Sequence, residues 1–586
     1  MFVLTIICHS EFRRMTLGKK TILIMHFCFL FLLFYVGNNL YFYYESISGN
    51  NKFQIEFVLE SMDKLFHEII SLNFIFKFSE RSFVLGIIFS VTYLLVILYG
   101  TFNRKNQRLD GEYGSAKWGG KADIKNFVDK EKKFNILLTN SEKLSLSGRM
   151  KITSKDNFNR NKNVVVVGGA GSGKTRFYVK PNLMQMHSSY VVSDSKGLLL
   201  HETFEMFKED GYQIKVFDLI NRKNSDFYNP FHYIRNEDDI LKLVNNLVKN
   251  TTNSEKTGGD DFFEKAETSL LLAIFSYLMQ EVCEEDQILQ NVIEMVRLGD
   301  IPEDQPDFVS PLDIMFDDLE QKDPTNFAVS QYKLFKLSGN LTAKSILVSL
   351  GVRLAPFDIP SIQKLLSKDT MELDCLGDQK TILYILLPDT DTSFNFLASM
   401  MYQQLFDNLV YKADHYYKGR LPVHVRCILD EFANIGQIPD FEKVIAVIRS
   451  REISTNVILQ NISQLKNLYK ETWETILGTS DTLLYLGGME YSTHEYISKL
   501  LGKETIEYRN ISVTKGAQGS YNESFQKIGR NLMDPDEVSS LKGTECILKI
   551  RGVSPFLSKK YDIEKHSNYK KLGDVNKKYW HDRNLD

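Results

Sequence analysis

A chain of 586 residues is too long for one hydrophobic core and calls for two or three structural units. With 43% hydrophobic and 25% charged residues, most of it should be globular rather than disordered. A formal net charge of −3 excludes a broadly basic coat for nucleic acid, so any DNA partner must be gripped along a local positive path. The six cysteines (Cys8, Cys28, Cys283, Cys375, Cys427, Cys546) form no C-x-x-C pair and no Cys/His cluster, which reads as isolated reduced thiols.

Residues 1–20 read as a cytoplasmic tail. Thr21 to Val36 is almost wholly apolar, and Leu40 to Tyr44 adds an aromatic run suited to the headgroup level, so a first membrane span is placed at 21–43. Phe83 to Phe102 carries no charge, which places a second span at 82–102. Aromatics rather than a small-x-small cleavage site follow the first run, against a removed leader. Arg13, Arg14, Lys19 and Lys20 precede the pair, and Arg104, Lys105 and Arg108 follow it. The loop between them, 44–80, leans acidic with Glu45, Glu56, Glu60, Asp63 and Glu68. The positive-inside rule then puts both termini in the cytoplasm and the loop outside. Its stretch Phe53 to Ile75 is apolar enough to lie on the membrane surface. Residues 103–160 read as a juxtamembrane cytoplasmic segment.

Val164 to Val167 are a continuous apolar run, the pattern of a buried parallel strand. Gly168, Gly169, Ala170, Gly171, Ser172, Gly173, Lys174 and Thr175 follow, giving the full G-x-x-x-x-G-K-[ST] phosphate loop between strand and helix. Glycines let backbone N–H groups face phosphates, and the next helix offers its N-terminus to the same anion. Lys174 should reach the β- and γ-phosphates of ATP, and the Thr175 hydroxyl should ligate Mg2+. The apolar strand Val425 to Leu429 ends in Asp430 and Glu431. Asp430 would hold Mg2+ through its water shell, and Glu431 would orient and deprotonate the attacking water. A third strand, Ser454 to Leu459, ends at Gln460, an amide able to sense the γ-phosphate beside the acid-bearing strand. Of Arg449 and Arg451, just ahead of that strand, Arg449 is the better candidate for an arginine finger on a neighbouring subunit's ATP.

Other phosphate-loop proteins fit less well. Leu337-Ser338-Gly339-Asn340 begins an LSGGQ-like signature but lacks the rest and lies far upstream of Asp430, and neither His67-Glu68 nor His201-Glu202 completes H-E-x-x-H. Between about 232 and 356 the pattern is helical, with apolar residues at helical spacing in Asp239–Val248 and Phe262–Val282. Strand character returns at Thr381 to Leu387 before Pro388. The order is that of an α/β doubly wound motor, 161–231 and 357–565, interrupted by an all-α domain at 232–356 and followed by a polar tail at 566–586.

These motifs resemble those of the type IV secretion coupling proteins, the TraG/TraD-like ATPases of conjugation systems. Gly114-Ser115-Ala116-Lys117-Trp118 is similar to the family's G-S-A-x-W segment just inside the membrane. Ser193-Asp194-Ser195-Lys196-Gly197 resembles its D-P-K-G turn, with Ser195 in place of proline, and Asn229-Pro230-Phe231 resembles its N-P-[LF] step into the inserted domain. Leu429 to Gly436 with Ile438 to Phe441 is similar to its extended Walker B, and Arg449 to Glu452 with Leu459 and Gln460 completes the set. The resemblance implies a RecA-like P-loop motor with an inserted all-α domain, preceded by two transmembrane helices and assembled as a homo-hexameric ring in the bacterial inner membrane. It implies ATP and Mg2+ as cofactors, relaxase-linked single-stranded DNA as cargo, and relaxase and secretion-channel proteins as partners, with the helical insert recognising cargo. Two other functions stay open: a nucleotide-switched docking receptor that does not pump, and an FtsK-like DNA translocase.

Overall fold

The computed structural model describes residues 17–49, 54–71, 75–102, 111–146, 160–252, 261–300, 302, 308–389, 391–514 and 520–582. Cys8, Arg13, Arg14, Arg104, Lys105 and Arg108 lie outside the described residues. The chain divides into two units, Met1–Glu112 and Tyr113–Asp586.

The first unit holds helices α1 (Leu17–Ser48), α2 (Ile55–Ile70) and α3 (Glu80–Phe102). Ile24–Ser48 and Glu80–Tyr99 are long and apolar enough to cross a membrane, with mean hydropathy 1.5 and 2.3. The aromatic run after Val36 continues α1 to Ser48, beyond the expected boundary at 43. α1 and α3 approach closely at Gly37 and Gly86, where a Cβ on Gly86 would stand 2.9 Å from the Phe34 carbonyl oxygen. Buried polar groups tie α1 further to α3 and to the segment before it: Ser82 Oγ donates to Asn38 Oδ1 at 3.0 Å, and Asn39 Nδ2 donates to Ile75 O at 2.9 Å. In α2, Ser61 and Leu65 are buried, whereas Ile55, Leu59, Met62, Phe66 and Ile70 form an exposed apolar stripe at helical spacing.

The second unit is built on a nine-stranded sheet. In chain order its strands are β3 (Val164–Val167), β4 (Ser189–Asp194), β5 (Gln213–Asp218), β6 (Thr381–Leu386), β7 (Val425–Leu429), β8 (Ile453–Leu459), β9 (Thr482–Tyr485), β12 (Glu545–Ile550) and β13 (Phe556–Lys559). Two separate hairpins are β1 (Asn135–Leu137) with β2 (Lys143–Ser145), and β10 (Lys503–Thr514) with β11 (Ser520–Asn531). The spatial order is β13-β12-β9-β3-β8-β7-β4-β6-β5. From β9 to β5 all neighbours are parallel, while β12 and β13 close one edge antiparallel. Val165 and Val167 enter one hydrophobic core and Val164 and Val166 the other, which is why this strand is apolar at every position.

Between β5 and β6 the chain is helical: Glu237–Thr251, Asp261–Glu281, Leu289–Leu298, Pro311–Lys322, Phe327–Lys336 and Asn340–Leu354. Asn236 caps the first of these, and Ser310 with Asp313 forms a capping box on Pro311–Lys322. A buried ion pair, Arg353 Nη2 to Glu267 Oε2 at 2.7 Å, joins the insert's helices, and Arg353 Nη1 also donates to Val248 O at 2.9 Å.

Two segments expected at the periphery belong to this unit's packing. Ile136, Leu138 and Leu144 of the β1–β2 region are buried, and Ala116 N–H donates to Lys503 O at 2.9 Å, tying the G-S-A-x-W segment to the foot of the β10–β11 hairpin. At the C-terminus, where a polar tail is expected, Leu572 is buried, Trp580 stacks on His201 at 5.2 Å and His581 on Phe204 at 3.7 Å. Isolated aromatics along a polar segment give no periodic signal, although each buries a large face.

Candidate functional site

The phosphate loop leaves the C-terminal end of β3 and runs into a wide helical turn, Thr175–Val179, continuing as Lys180–Leu183. Pro181 has no N–H, so the regular ladder lacks a donor there. Gly173 has φ +83°, and the Phe177 ring lies 2.5 Å from where a Cβ would stand, so this position excludes any side chain.

Lys174, Thr175, Asp430, Glu431 and Gln460 come together. β8 lies between β3 and β7, so the tips of three adjacent parallel strands present the loop, Gln460 and the two acids side by side. The buried Lys174 Nζ donates to Gly168 O at 3.0 Å and lies 3.5 Å from Glu431 Oε1. Thr175 Oγ1 donates to Asp430 Oδ2 at 3.1 Å, and the Glu431 N–H donates to Asp430 Oδ1 at 3.1 Å. Gln460 Nε2 donates to Glu431 Oε2 at 3.0 Å, while its own N–H is held by Gln464 Oε1 at 2.9 Å. Glu431 has φ +50°, a strained left-handed conformation that turns its carboxylate back over the loop.

Burial, and then the neighbouring Glu431 charge, push the Asp430 carboxyl up to about 6; Lys174 and the Thr175 hydroxyl work against this. An added cation would relieve that penalty. Thr175 Oγ1 and Asp430 Oδ2 are two hard oxygen ligands on one side of the loop, a set that suits Mg2+, which keeps several waters and takes further oxygens from substrate phosphates. Among the described residues no group of three or more His, Cys, Asp or Glu could hold a metal alone. Among the described residues the buried Ser172 hydroxyl has no hydrogen-bond partner. Gly168, Gly169, Ala170 and Gly171 complete the loop, with Gly169 N–H donating to Gly487 O at 2.8 Å.

The arginines lie elsewhere. The turn Ile448–Arg451 precedes β8 and therefore sits at the N-terminal ends of the parallel strands, opposite the loop of its own chain. Arg451 is engaged by Asp414, with Nη2 to Oδ2 at 2.7 Å, whereas Arg449 is exposed. Glu452 anchors the same turn to His424 at 3.0 Å and to Arg420; burial alone would raise its carboxyl, but these partners hold it at about 2.

Three contacts at this site carry no local sequence signal. Ser193 Oγ donates to Asp430 O at 2.6 Å, which fixes the acid strand's tip to β4. Arg426, fully buried on β7, donates to Asn182 Oδ1 at 2.9 Å and Asn456 Oδ1 at 2.7 Å, joining the helix after the loop to β7 and β8. Lys560 donates to Ser172 O at 2.9 Å.

A parallel sheet in which one strand separates the phosphate-loop strand from the acid strand, interrupted by a helical domain, is the RecA-like P-loop motor fold with an all-α insert. Residues 117–575 match the family described as Type IV secretory system Conjugative DNA transfer, and the chain belongs to that family. It is 23% identical over 408 residues to the conjugal transfer protein TraG of Rhizobium radiobacter, covering 67% of this chain and 60% of that protein. The chain thus spans about three fifths of that relative's length. Among solved structures it is similar to the unbound bacterial conjugative coupling protein TrwBdeltaN70, with TM-score 0.56, 15% identity and coverage of 79% of this chain and 98% of that one. It is also similar to the plasmid coupling protein TrwB in complex with the ATP analogue ADPNP, with TM-score 0.54, 15% identity and coverage of 77% and 96%.

Proposed function

We propose that this chain is a membrane-anchored ATPase that couples relaxase-linked single-stranded DNA to a type IV secretion channel and drives conjugative transfer. The observation that carries the proposal is the convergence of Lys174, Thr175, Asp430, Glu431 and Gln460 at three adjacent strand ends. ATP lies on the backbone N–H groups of the loop, and Lys174 exchanges Gly168 O and Glu431 for the β- and γ-phosphates. Thr175 and Asp430 would hold Mg2+, which would supply positive charge to the phosphate oxygens. Release from Lys174 frees Glu431 to take a proton from the attacking water, with Gln460 keeping that carboxylate aimed.

Arg449, exposed and remote from its own loop, serves a neighbouring copy's ATP in a homo-hexamer. α1 and α3 anchor the chain in the bacterial inner membrane with both termini cytoplasmic, and the apolar stripe of α2 lies on the outer leaflet's surface. Cargo DNA is gripped through its phosphates, independently of sequence, which a net charge of −3 permits when only a channel lining is basic.

The test is a transfer assay in cells with wild type, Lys174→Ala and Glu431→Gln, checking membrane localisation of each. Loss of transfer in both variants at normal localisation supports the proposal. Transfer sustained by Lys174→Ala and Glu431→Gln would mean that the chain acts as a docking receptor without pumping.

A further inference from the structure

Lys560 follows the edge strand β13 and is 7% exposed, deeper than a lysine ordinarily lies. Its backbone is pinned on both sides: its N–H donates to Thr544 O at 2.9 Å, and the Lys559 carbonyl accepts the Asn140 N–H at 3.0 Å. The stem is thereby aimed at the phosphate loop, where the ammonium donates to the Ser172 carbonyl at 2.9 Å and stands 5.4 Å from the centre of the Phe177 ring. Among the described residues no carboxylate pairs with it within 4.0 Å. Burial lowers its pKa, as expected for a cation enclosed without a counter-charge.

A neutral donor would satisfy one carbonyl at lower desolvation cost. A charge is useful in this place only when negative charge arrives on the other side of the loop. The peptide linking Ser172 and Gly173 supplies the connection. In a trans peptide the C=O and N–H point in opposite directions, so pulling the Ser172 carbonyl outward turns the Gly173 N–H inward, where a phosphate would sit. The Phe177 ring that Lys560 faces is also the group filling the space beside Gly173.

We infer that Lys560 is a positioning residue for the nucleotide: it grips the Ser172 carbonyl and the Phe177 ring, holds the Ser172–Gly173 peptide with its N–H towards the phosphates, and places a positive charge behind the loop. This rests on the reading of the loop as an ATP site.

The experiment uses the full chain in detergent, with titration of a fluorescent ATP analogue, steady-state turnover against ATP concentration, and melting with and without ATP. Lys560→Met should raise Kd and KM for ATP about tenfold or more, the scale of one lost charge-assisted hydrogen bond, with the shift in KM exceeding that in kcat. Lys560→Arg should recover most of the affinity, and Lys560→Gln, which keeps a donor without the charge, should fall between. The nucleotide-free melting temperature of Lys560→Met should equal or exceed that of wild type, with a smaller rise on adding ATP. A Lys560→Met protein that melts like wild type and binds ATP with unchanged Kd overturns the inference. If that variant does not fold, wild-type affinity in Lys560→Gln overturns it equally. Binding that Lys174→Ala abolishes while the Lys560 variants leave it intact sinks this inference alone; a wild type with no nucleotide binding sinks the ATP reading and this inference with it.

Discussion

Gln460→Ala removes one interaction from the site and nothing else. The lost contact is the Nε2 donor 3.0 Å from Glu431 Oε2; the backbone of Gln460 stays held by Gln464, and Lys174, Thr175 and the loop are untouched. A hydrogen bond to a charged acceptor contributes about 1.5–3 kcal/mol. Without its donor the Glu431 carboxylate is no longer aimed at the water, and positioning of reacting groups can contribute about 7–11 kcal/mol in all. The expected outcome is a fall in kcat of about 10- to 100-fold, with Kd for ATP changed by less than about threefold. Steady-state turnover and equilibrium ATP binding on the full chain measure both. Weakened ATP binding at unchanged kcat would refute the assignment of Gln460 to Glu431 and make it a direct phosphate contact.

Arg353→Met leaves Glu267 as a carboxylate with 1% exposure and no counter-charge, which should cost about 3–5 kcal/mol of stability; Arg353→Met with Glu267→Leu should recover most of it in melting experiments. His566 accepts the Asn568 N–H on Nδ1 at 3.1 Å and meets Gln185 Oε1 through Nε2 at 3.1 Å, and burial lowers its pKa to about 4. The folded ring stays neutral while the unfolded one takes a proton below about 6.5, so this stability is fully present above that value and is lost as pH falls towards 4. Between pH 7.5 and 5 the loss is about 2 kcal/mol, and a His566→Gln chain should show a flatter dependence of melting temperature on pH. Arg449→Ala should reduce turnover by about a thousandfold at concentrations where copies assemble, whereas Arg451→Ala should lower the melting temperature through the lost Asp414 contacts.

The parts of the site legible in the sequence were those whose chemistry is local. The glycine spacing from Gly168 to Lys174 is set within one turn, and Asp430 and Glu431 end a fully buried strand of five residues, apolar but for Arg426. Gln460 was accessible because it too closes a buried strand, although only the sheet order shows that its strand separates the other two. Arg451 is engaged by Asp414 of the helix Asn395–Tyr416, 37 positions earlier, a pairing that no local pattern announces. Lys560 and Ser172 are 388 positions apart, and no periodicity links a buried lysine to a loop at that separation. The β10–β11 hairpin was missed for a different reason: Glu504, Ile506, Tyr508 and Asn510 share one face with Gln526 and Ile528, so polar and apolar residues mix on the same side and the two-residue alternation is muted.

Glu431→Gln gives the most direct measurement of the central claim, because it changes one oxygen of the proposed base and spares every ligand of the phosphates. Rapid-mixing single-turnover experiments on the assembled full chain should find ATP bound with wild-type affinity and its cleavage slowed by about a hundredfold or more. Cleavage at the wild-type rate by Glu431→Gln, or failure of the assembled wild-type chain to bind ATP, would contradict the account.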